Sequence, residues 1–257
     1  LLQTGVLDSD SINRTRDDFR KEIEQAIQAA EPAVLADASI ETADMYAAPA
    51  GPAIPEASDI TAGPGSGKRM IDAIREALWQ SMEKHENLIL MGQDIAEYGG
   101  AFKITEGFLE AFGRERVRNT PLCESAVVGA ALGLSLEGFK AVMEMQFADF
   151  AAVGFNQIVN NLAKIHYRWG QHADVVIRMP TGAGVGAGPF HSQSNEAWFT
   201  HVPGLKVVYP SNPEDAKGLL IAAINDPNPV LYFEHKALYR SISGPLPEDY
   251  YYTEIGK

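Results

Sequence analysis

From about residue 70 onward, short apolar runs alternate with longer stretches that carry apolar residues at helical spacing. The apolar runs predict six strands, at residues 88–91, 117–119, 141–146, 174–179, 205–209 and 230–234. These runs are apolar at consecutive positions, so both faces of each strand must be covered. Strand and helix in alternation therefore predict an α/β fold: a doubly wound, mostly parallel sheet with helices on both faces.

Helices are predicted after Met70 and at residues 105–112, 125–137, 151–168 and 213–225. In a doubly wound sheet, ligands bind beyond the carboxyl ends of the strands. Glu124, Gln146 and Thr181 each lie just beyond such an end. These three positions are where a site is first expected.

The first 67 residues have a different composition from the rest. Residues 9–30 carry apolar residues at helical spacing behind possible caps such as Asp8, which predicts one amphipathic helix. Residues 33–67 are rich in Ala, Pro, Gly and Ser, as linkers are. The run Gly63-Pro64-Gly65-Ser66-Gly67-Lys68-Arg69 lacks the spacing and the hydroxyl of a phosphate-binding loop, so the linker interpretation is preferred.

Charge and cysteine content exclude several classes of function. The chain has 34 acidic and 21 basic residues, a net charge of −13, which disfavours nucleic acid as a partner. A single cysteine, Cys123, excludes an internal disulfide and a multi-cysteine metal site. There is neither a recognisable signal peptide nor an apolar run of about 18 residues, so we expect a reducing, non-membrane compartment.

Glu124 is the first candidate catalytic residue. It opens a predicted helix built largely from small and apolar residues, with no basic side chain in that helix to pair with it. A carboxyl among apolar neighbours tends to keep its proton near neutral pH and can then donate a hydrogen bond. The alternative is a first-turn carboxylate that only stabilises the helix dipole.

Two further segments suggest a ligand site. Gln146 and Phe150 lie on the loop after a strand, where an amide and an aromatic ring suit a flat heterocycle; the alternative is ordinary core. Residues 182–188 place four alternate glycines after another strand, followed by His191. Such a loop lets backbone approach a ligand, and His191 can carry or donate a proton; the alternative is a flexible surface loop.

Six motifs, in order, give the chain a family resemblance. They are Thr120-Pro121-Leu122-Cys123-Glu124, Gln146-Phe147-Ala148-Asp149-Phe150, His191-Ser192-Gln193-Ser194, Pro203-Gly204-Leu205-Lys206-Val207-Val208, Asp215-Ala216-Lys217-Gly218-Leu219-Leu220 and Leu238-Tyr239-Arg240. From about residue 68 onward the chain resembles the beta subunit of thiamine-diphosphate-dependent 2-oxoacid dehydrogenases, which carries the pyrimidine-binding domain of the transketolase-like superfamily.

The resemblance implies roles for individual residues. Glu124 would donate a hydrogen bond to a ring nitrogen of the cofactor's aminopyrimidine, which assists activation of the cofactor. Leu122 and Gln146 would line the pyrimidine pocket, Phe150 would stack on the ring, and His191 would face the reacting centre. More weakly, Asp226 and Asn228 match a position where branched-chain members bind a structural monovalent cation such as K⁺, mostly through backbone oxygens.

The resemblance also implies partners and missing parts. Residues 1–48 resemble the C-terminal tail of the alpha subunit, so we expect an alpha-beta fusion with a linker at 49–67 and the pyrimidine-binding domain at 68–257. The Mg²⁺ and diphosphate ligands would lie on an alpha-subunit-like domain outside this chain, and a C-terminal beta domain would be absent. The expected partners are that domain, a second copy in a dimer or alpha2beta2-like assembly, and a lipoyl acyltransferase core.

Taken with the resemblance, the chain alone is expected to be inactive, and a bacterial cytoplasm or a mitochondrial matrix would be its compartment. The motif around Gln146 favours a branched-chain 2-oxoacid of the 2-oxoisovalerate type, with pyruvate as the rival. Two different functions stay open beside these, a transketolase-like enzyme and a non-catalytic assembly module.

Overall fold

The structure, a computed structural model, describes residues 2, 4–33, 37, 40, 43–48, 54–57 and 67–256. The chain divides into two compact units, residues 1–43 and residues 44–257. Most of the predicted linker at 49–67 lies outside the described residues. Its described piece, 54–57, pairs with Tyr252, whose N–H donates to Pro55 O at 3.0 Å.

The first unit contains one long helix, α1 (Ser9–Ala30), at the predicted position. Asp8 caps it, because its Oδ1 accepts a hydrogen bond from Ser11 N at 2.6 Å. None of the residues of α1 is buried, and more than half of the surface of Phe19, Ile23 and Ile27 is exposed. The apolar stripe that predicted the helix is therefore open to solvent.

The second unit is built on a parallel sheet with helices on both sides. Within the described residues its strands are Lys68–Arg69 (β1), Leu88–Gly92 (β2), Val117–Asn119 (β3), Lys140–Glu144 (β4), Val175–Thr181 (β5), Lys206–Val208 (β6), Val230–His235 (β7) and Ser243–Gly244 (β8). Its helices are Met70–Lys84 (α2), Phe108–Phe112 (α3), Glu124–Leu136 (α4), Ala151–Asn156 (α5), Ile165–Trp169 (α6), Ala197–Thr200 (α7), Pro213–Asn225 (α8) and Leu238–Ser241 (α9).

Six strands form the main sheet in the order β3-β2-β4-β5-β7-β6, and every pair is parallel. The chain runs from β2 outward to β3 and then returns to β4 on the opposite side of β2. The strand order thus reverses between β2 and β4. Loops leaving two such strands diverge and open a crevice at their carboxyl ends, where ligands of doubly wound sheets bind.

Two apolar layers cover the sheet, which confirms the doubly wound fold predicted from the sequence. One layer packs α2 and α8 against side chains such as Leu90 and Val142. The other packs α4 and α5 against the alternate residues, such as Met91 and Met143. Neighbouring residues of one strand point to opposite faces, so an unbroken apolar run serves both layers.

The prediction of one continuous helix at 151–168 is wrong. After α5 the chain forms a π-helical turn at Gln157–Asn161 and a 3₁₀ turn at Leu162–Lys164 before α6 begins. Gly204, at φ +87°, sits against this break: a Cβ there would come within 1.9 Å of Ala163 O. A tertiary contact with the backbone of residue 163 thus accompanies the break, and no local pattern announces it.

The predicted helix at 105–112 is shorter than expected. It begins only at Phe108, because Gly107 lies before it with φ 82°, a left-handed conformation that the helix cannot include. Among the residues that the structure describes, no helix has both the length and the apolar character needed to cross a membrane.

Candidate active site

The crevice between β2 and β4 brings polar residues of three chain segments together. Gln93 and Asp94 follow β2 directly, and Gln146 follows β4 by two residues. Gln146 Nε2 donates to Asp94 Oδ2 at 3.3 Å, and Gln93 Nε2 donates to Glu124 Oε1 at 3.2 Å. The loop after β2 therefore links two of the residues that the sequence singled out.

Glu124 is the first residue of α4 and is 9% exposed. Within the described part of the chain, the hydrogen bond that its carboxyl accepts comes from the Gln93 amide and not from a helix N–H. The carboxyl is thus oriented by a side chain of the crevice, unlike that of a simple helix cap.

The crevice contains unused hydrogen-bonding capacity. Gln93 Oε1 is buried and has no partner among the described residues. Unpartnered buried polar atoms are costly, and each calls for a missing partner such as a ligand or ordered water. Leu122, two residues before Glu124, is 79% exposed, so its apolar side chain is open at the rim.

Aromatic rings form one wall beside Gln146. The His191 ring meets Phe147 edge-on at 4.6 Å between centroids and Phe150 edge-on at 5.6 Å. Phe102, from the loop after β2, contacts Phe147 at 5.8 Å. The structure thus brings the predicted Phe150 and His191 together. His191 Nδ1 is buried and lacks a hydrogen-bond partner among the described residues.

Two other residues around this wall also have unpartnered atoms. Asp149 Oδ1 accepts from two backbone N–H groups, but Oδ2 accepts from none in the described chain. Lys236 Nζ lies 5.2 Å from the centre of the Phe147 ring and has no hydrogen-bond partner there either. Asn195 Oδ1, close to the same turn, is also buried without a partner in the described chain. Four of the residues with such atoms, Gln93, Asp149, His191 and Lys236, are called the open cluster.

A second polar group joins the end of β4, the middle of β5 and the end region of β7. Arg178, 1% exposed, donates through Nη1 to Glu144 Oε2 at 2.5 Å and through Nε and Nη2 to Glu234 at 2.7 and 2.9 Å. Tyr239 OH donates to Glu234 Oε2 at 2.5 Å. Burial raises the pKa of Glu144, and the Arg178 guanidinium opposes that rise. We call these four residues the ion network.

Asp226 and Asn228, the weak candidates for a cation site, are held by protein groups. Asp226 Oδ2 accepts from Lys206 Nζ, and its Oδ1 accepts from Asn228 Nδ2 at 2.8 Å. Asn228 also bonds the backbone of Ala47, whose N–H donates to Oδ1 at 2.7 Å. The side-chain oxygens are thus already used. Among the described residues there is no cluster of three or more His, Cys, Asp or Glu that could hold a metal ion.

Sequence reasoning missed Gln93, Asp94, Phe102 and Lys236. Gln93 and Asp94 could have been found, because two polar residues directly follow the apolar run that predicts β2. Lys236 follows β7 in the same way. Phe102 had no such signal, since the irregular path of the loop after β2 brings it to Phe147.

Comparison with known proteins places this site in context. The sequence model of the transketolase pyrimidine-binding domain matches residues 66–241. The beta subunit of 2-oxoisovalerate dehydrogenase from Bacillus subtilis (strain 168) is 49% identical over 191 residues, which are 73% of this chain and 58% of that protein. The pyruvate dehydrogenase E1 component subunit beta of the same organism is 45% identical over 190 residues, again 73% and 58% of the two chains.

The fold comparison agrees with the sequence comparison. A solved structure described as a split-gene transketolase, an inactive beta4 tetramer, superimposes with a TM-score of 0.53 and 25% sequence identity. The match covers 65% of this chain and 52% of that one. The chain spans little more than half the length of the curated relatives that it matches.

Proposed function

The chain belongs to the family of transketolase pyrimidine-binding domains, and from that premise we propose that it supplies the aminopyrimidine half of a thiamine-diphosphate-dependent 2-oxoacid dehydrogenase. The observation that carries the proposal is the Glu124 carboxyl, 9% exposed at the crevice between β2 and β4 and bonded by Gln93. The similarity to beta subunits of 2-oxoisovalerate and pyruvate dehydrogenases supports the same reaction class.

The residues at the crevice fit an aminopyrimidine. Such a ring needs a carboxyl that can share a proton with a ring nitrogen, an amide for its polar edge and an apolar face. Glu124, Gln146 and Phe150 provide these groups, and the unpartnered Gln93 Oε1 offers an acceptor for an amino group. When bound, thiamine diphosphate supplies the carbanion chemistry that removes carbon dioxide from a 2-oxoacid.

The protein groups have separate tasks in this proposal. Glu124 holds a proton at its carboxyl for the ring nitrogen, and Gln93 fixes the direction of that carboxyl. Phe150 and Leu122 exclude water from the faces of the ring. His191 lies against Phe147 and Phe150 and is placed to move a proton at the reacting centre.

The proposed substrate is a branched-chain 2-oxoacid of the 2-oxoisovalerate type, whose acyl group would pass to a lipoyl carrier. The higher identity to the 2-oxoisovalerate enzyme, 49% against 45% for the pyruvate enzyme of one organism, favours this choice by a small margin. Turnover of the two acids by the complete enzyme decides between them. A preference for pyruvate would overturn the substrate assignment and leave the reaction class intact.

The remaining half of the site would come from outside this chain. We propose that an alpha-subunit-like domain supplies the diphosphate and Mg²⁺ ligands, in an alpha-beta fusion or an alpha2beta2-like assembly that docks on a lipoyl acyltransferase core. The exposed Leu122 beside Glu124 supports a partner surface at the crevice. A structural K⁺ near Asp226 and Asn228 would have to use backbone oxygens, because protein donors occupy the side chains.

The test of the reaction is Glu124→Gln in the enzyme assembled with the alpha-like domain. The amide keeps the shape of the side chain but cannot share an acidic proton with the ring. We expect the rate of 2-oxoacid decarboxylation to fall by roughly 100- to 10,000-fold, the usual contribution of a positioned acid or base. Binding of thiamine diphosphate, followed by its circular dichroism, reports whether the pocket still forms.

The matched control is Glu137→Gln, an exposed glutamate just past the other end of α4. It should keep the full rate. Full activity of Glu124→Gln would instead support the non-catalytic alternative, in which Glu124 only begins a helix. Turnover of a ketose phosphate in preference to any 2-oxoacid would support the transketolase-like alternative.

A further inference from the structure

His191 stands at the end of a loop that has little packing of its own. Residues 183–190, between β5 and His191, are all exposed. Three glycines of this segment, Gly184, Gly186 and Gly188, have positive φ, as does Gly182 just before it. A loop so poor in buried side chains is not held in place by its own contacts. The position of His191 must therefore be set by what anchors the loop's second end.

That second end is anchored at Gln193. The carbonyl of Gln193 accepts from Thr181 Oγ1 at 2.9 Å and from Gly182 N at 3.0 Å, which closes the loop onto the end of β5. Gly182 permits the closure, because a Cβ at its φ of +78° would lie 2.7 Å from His235 Nε2. These bonds fix where the loop ends but leave the direction of the preceding residues open.

Asp149 supplies the missing constraint. Its Oδ1 accepts from Ser192 N and Gln193 N, both at 3.2 Å, so one carboxylate oxygen holds the two peptide groups that follow His191. Asp149 is 7% exposed and lies in the 3₁₀ turn Ala148–Phe150. Hydrogen bonds to a charged acceptor are stronger than those to a neutral one.

The turn that carries Asp149 also holds the imidazole. Phe147, just before the turn, and Phe150, its last residue, meet the His191 ring edge-on. Asn195 also stabilises the turn, since its Nδ2 donates to Ala148 O at 2.8 Å. One short turn thus contacts both the His191 side chain and the backbone that follows it.

Lys236, of opposite charge, lies against the same aromatic wall. It is 6% exposed, with Nζ over the Phe147 ring. Burial lowers the pKa of Lys236, and the negative charge of Asp149 opposes that change. The second carboxylate oxygen, Oδ2, is buried and unpartnered in the described chain.

We propose that Asp149 is a positioning residue for His191: its carboxylate clamps the peptide groups of Ser192 and Gln193. The consequence for the reaction rests on the proposed function, in which His191 acts at the reacting centre. The clamp itself is a property of this chain and can be measured without catalysis.

The experiment compares Asp149→Ala, Asp149→Asn and the unchanged protein in the assembled enzyme. Hydrogen exchange by mass spectrometry follows a peptide covering residues 189–196, and kinetics follow the 2-oxoacid. For Asp149→Ala we expect exchange of this peptide to be at least about tenfold faster and kcat to fall by roughly 10- to 100-fold, because small misplacements of a catalytic group have effects of this size. KM for the 2-oxoacid should change less than about threefold if only the reacting geometry is disturbed.

Asp149→Asn should give a smaller effect in the same direction, with exchange about threefold faster, because a neutral acceptor bonds more weakly than a carboxylate. The matched control is Asp174→Asn, which removes a charge at the amino end of β5, where Asp174 pairs with Lys140. This control should alter neither the exchange of residues 189–196 nor kcat.

The outcomes separate the clamp from the proposed function. Unchanged exchange of residues 189–196 in a folded Asp149→Ala assembly overturns the clamp. If Asp149→Ala does not assemble, unchanged exchange in Asp149→Asn overturns it equally. Faster exchange with an unchanged kcat upholds the clamp and refutes the catalytic role of His191.

Discussion

The ion network and the open cluster are two groups of four polar residues in the same half of one sheet. In the ion network, Arg178 bonds both Glu144 and Glu234. Every buried side-chain N or O atom of the network's four residues has a hydrogen-bond partner in the described chain. In the open cluster, each of the four residues has one buried N or O atom without a hydrogen-bond partner in the described chain. A satisfied network contributes to a folded structure, whereas an unsatisfied one costs stability.

The difference teaches which group serves the fold and which serves a ligand. The ion network ties β4, β5 and β7 together beneath the crevice, so it supports the strands from which the site residues extend. The open cluster surrounds Phe147 and extends to Glu124 through Gln93. Unpartnered buried atoms also occur away from the crevice, as at Gln80 and Thr253, so the inference of a bound molecule rests on their lying beside Glu124 and the aromatic wall.

The largest expected effect comes from breaking the ion network. Arg178→Met removes the cation and leaves two buried carboxylates facing each other. We expect a loss of about 3–5 kcal/mol in the free energy of unfolding, the usual result of removing one partner of a buried ion pair. Denaturant unfolding at neutral pH measures this loss.

A surface ion pair provides the control for that substitution. Arg118 bonds Glu115 with 51% and 89% of their side chains exposed. Arg118→Met should therefore cost no more than about 1 kcal/mol. Equal losses in the two variants would show that the ion network does not hold the strands together.

The opposite result is expected in the open cluster, where a substitution should affect activity more than stability. Gln93→Met removes a hydrogen bond to Glu124, a loss of about 1 kcal/mol, and also removes an unpartnered buried carbonyl of similar or larger cost. The free energy of unfolding should stay within about 1 kcal/mol of its original value. The kcat of the assembled enzyme should fall about tenfold or more, since Glu124 loses the group that orients it.

Gln80 offers a matched control for this substitution. It has the same arrangement on α2, because its Nε2 donates to Glu248 O at 2.7 Å and its Oε1 is buried without a partner in the described chain. Gln80→Met should change stability by a similar small amount and leave kcat unchanged. If Gln93→Met destabilises the chain as much as Arg178→Met, the contrast between the two polar groups is wrong.

Local sequence pattern was sufficient for most of the fold. The helices Ser9–Ala30 and Pro213–Asn225 begin and end at the predicted residues, and Asp8 and Asn212 bond their first turns locally. The sheet and its two covered faces followed from the apolar strands. The break after Asn156 did not, since the contact of Gly204 with Ala163 joins residues 41 positions apart.

The candidate site could likewise be predicted only in part. Glu124, Gln146, Phe150 and His191 were predicted as site residues, and their roles at the cofactor stay predictions. The partners of these residues could not be predicted, because the pairing of Gln93 with Glu124 depends on which loops meet at the reversal of strand order. A sequence shows that a polar residue follows a strand. Only the order of the strands in the sheet shows which other strand ends beside it.

The smallest effect is expected at the amino end of the sheet, where His85 precedes β2. Burial lowers the pKa of His85, and the charges of Lys140 and Lys84 lower it further. Its unfolded pKa is about 6.5, so as the pH falls through that value the unfolded chain takes up a proton before the folded chain does. The free energy of unfolding should therefore fall by a few tenths of a kcal/mol between about pH 7.5 and pH 5.5, because His85 is partly exposed and the effect is screened.

His85→Gln tests this by removing the titrating group while keeping a polar side chain near the Tyr250 hydroxyl, which lies 3.4 Å from His85 Nε2. Denaturant unfolding of both proteins at the two pH values gives the difference directly. The substituted protein should lose less stability on acidification than the unchanged one. An equal or larger loss would mean that His85 does not contribute to the loss of stability on acidification.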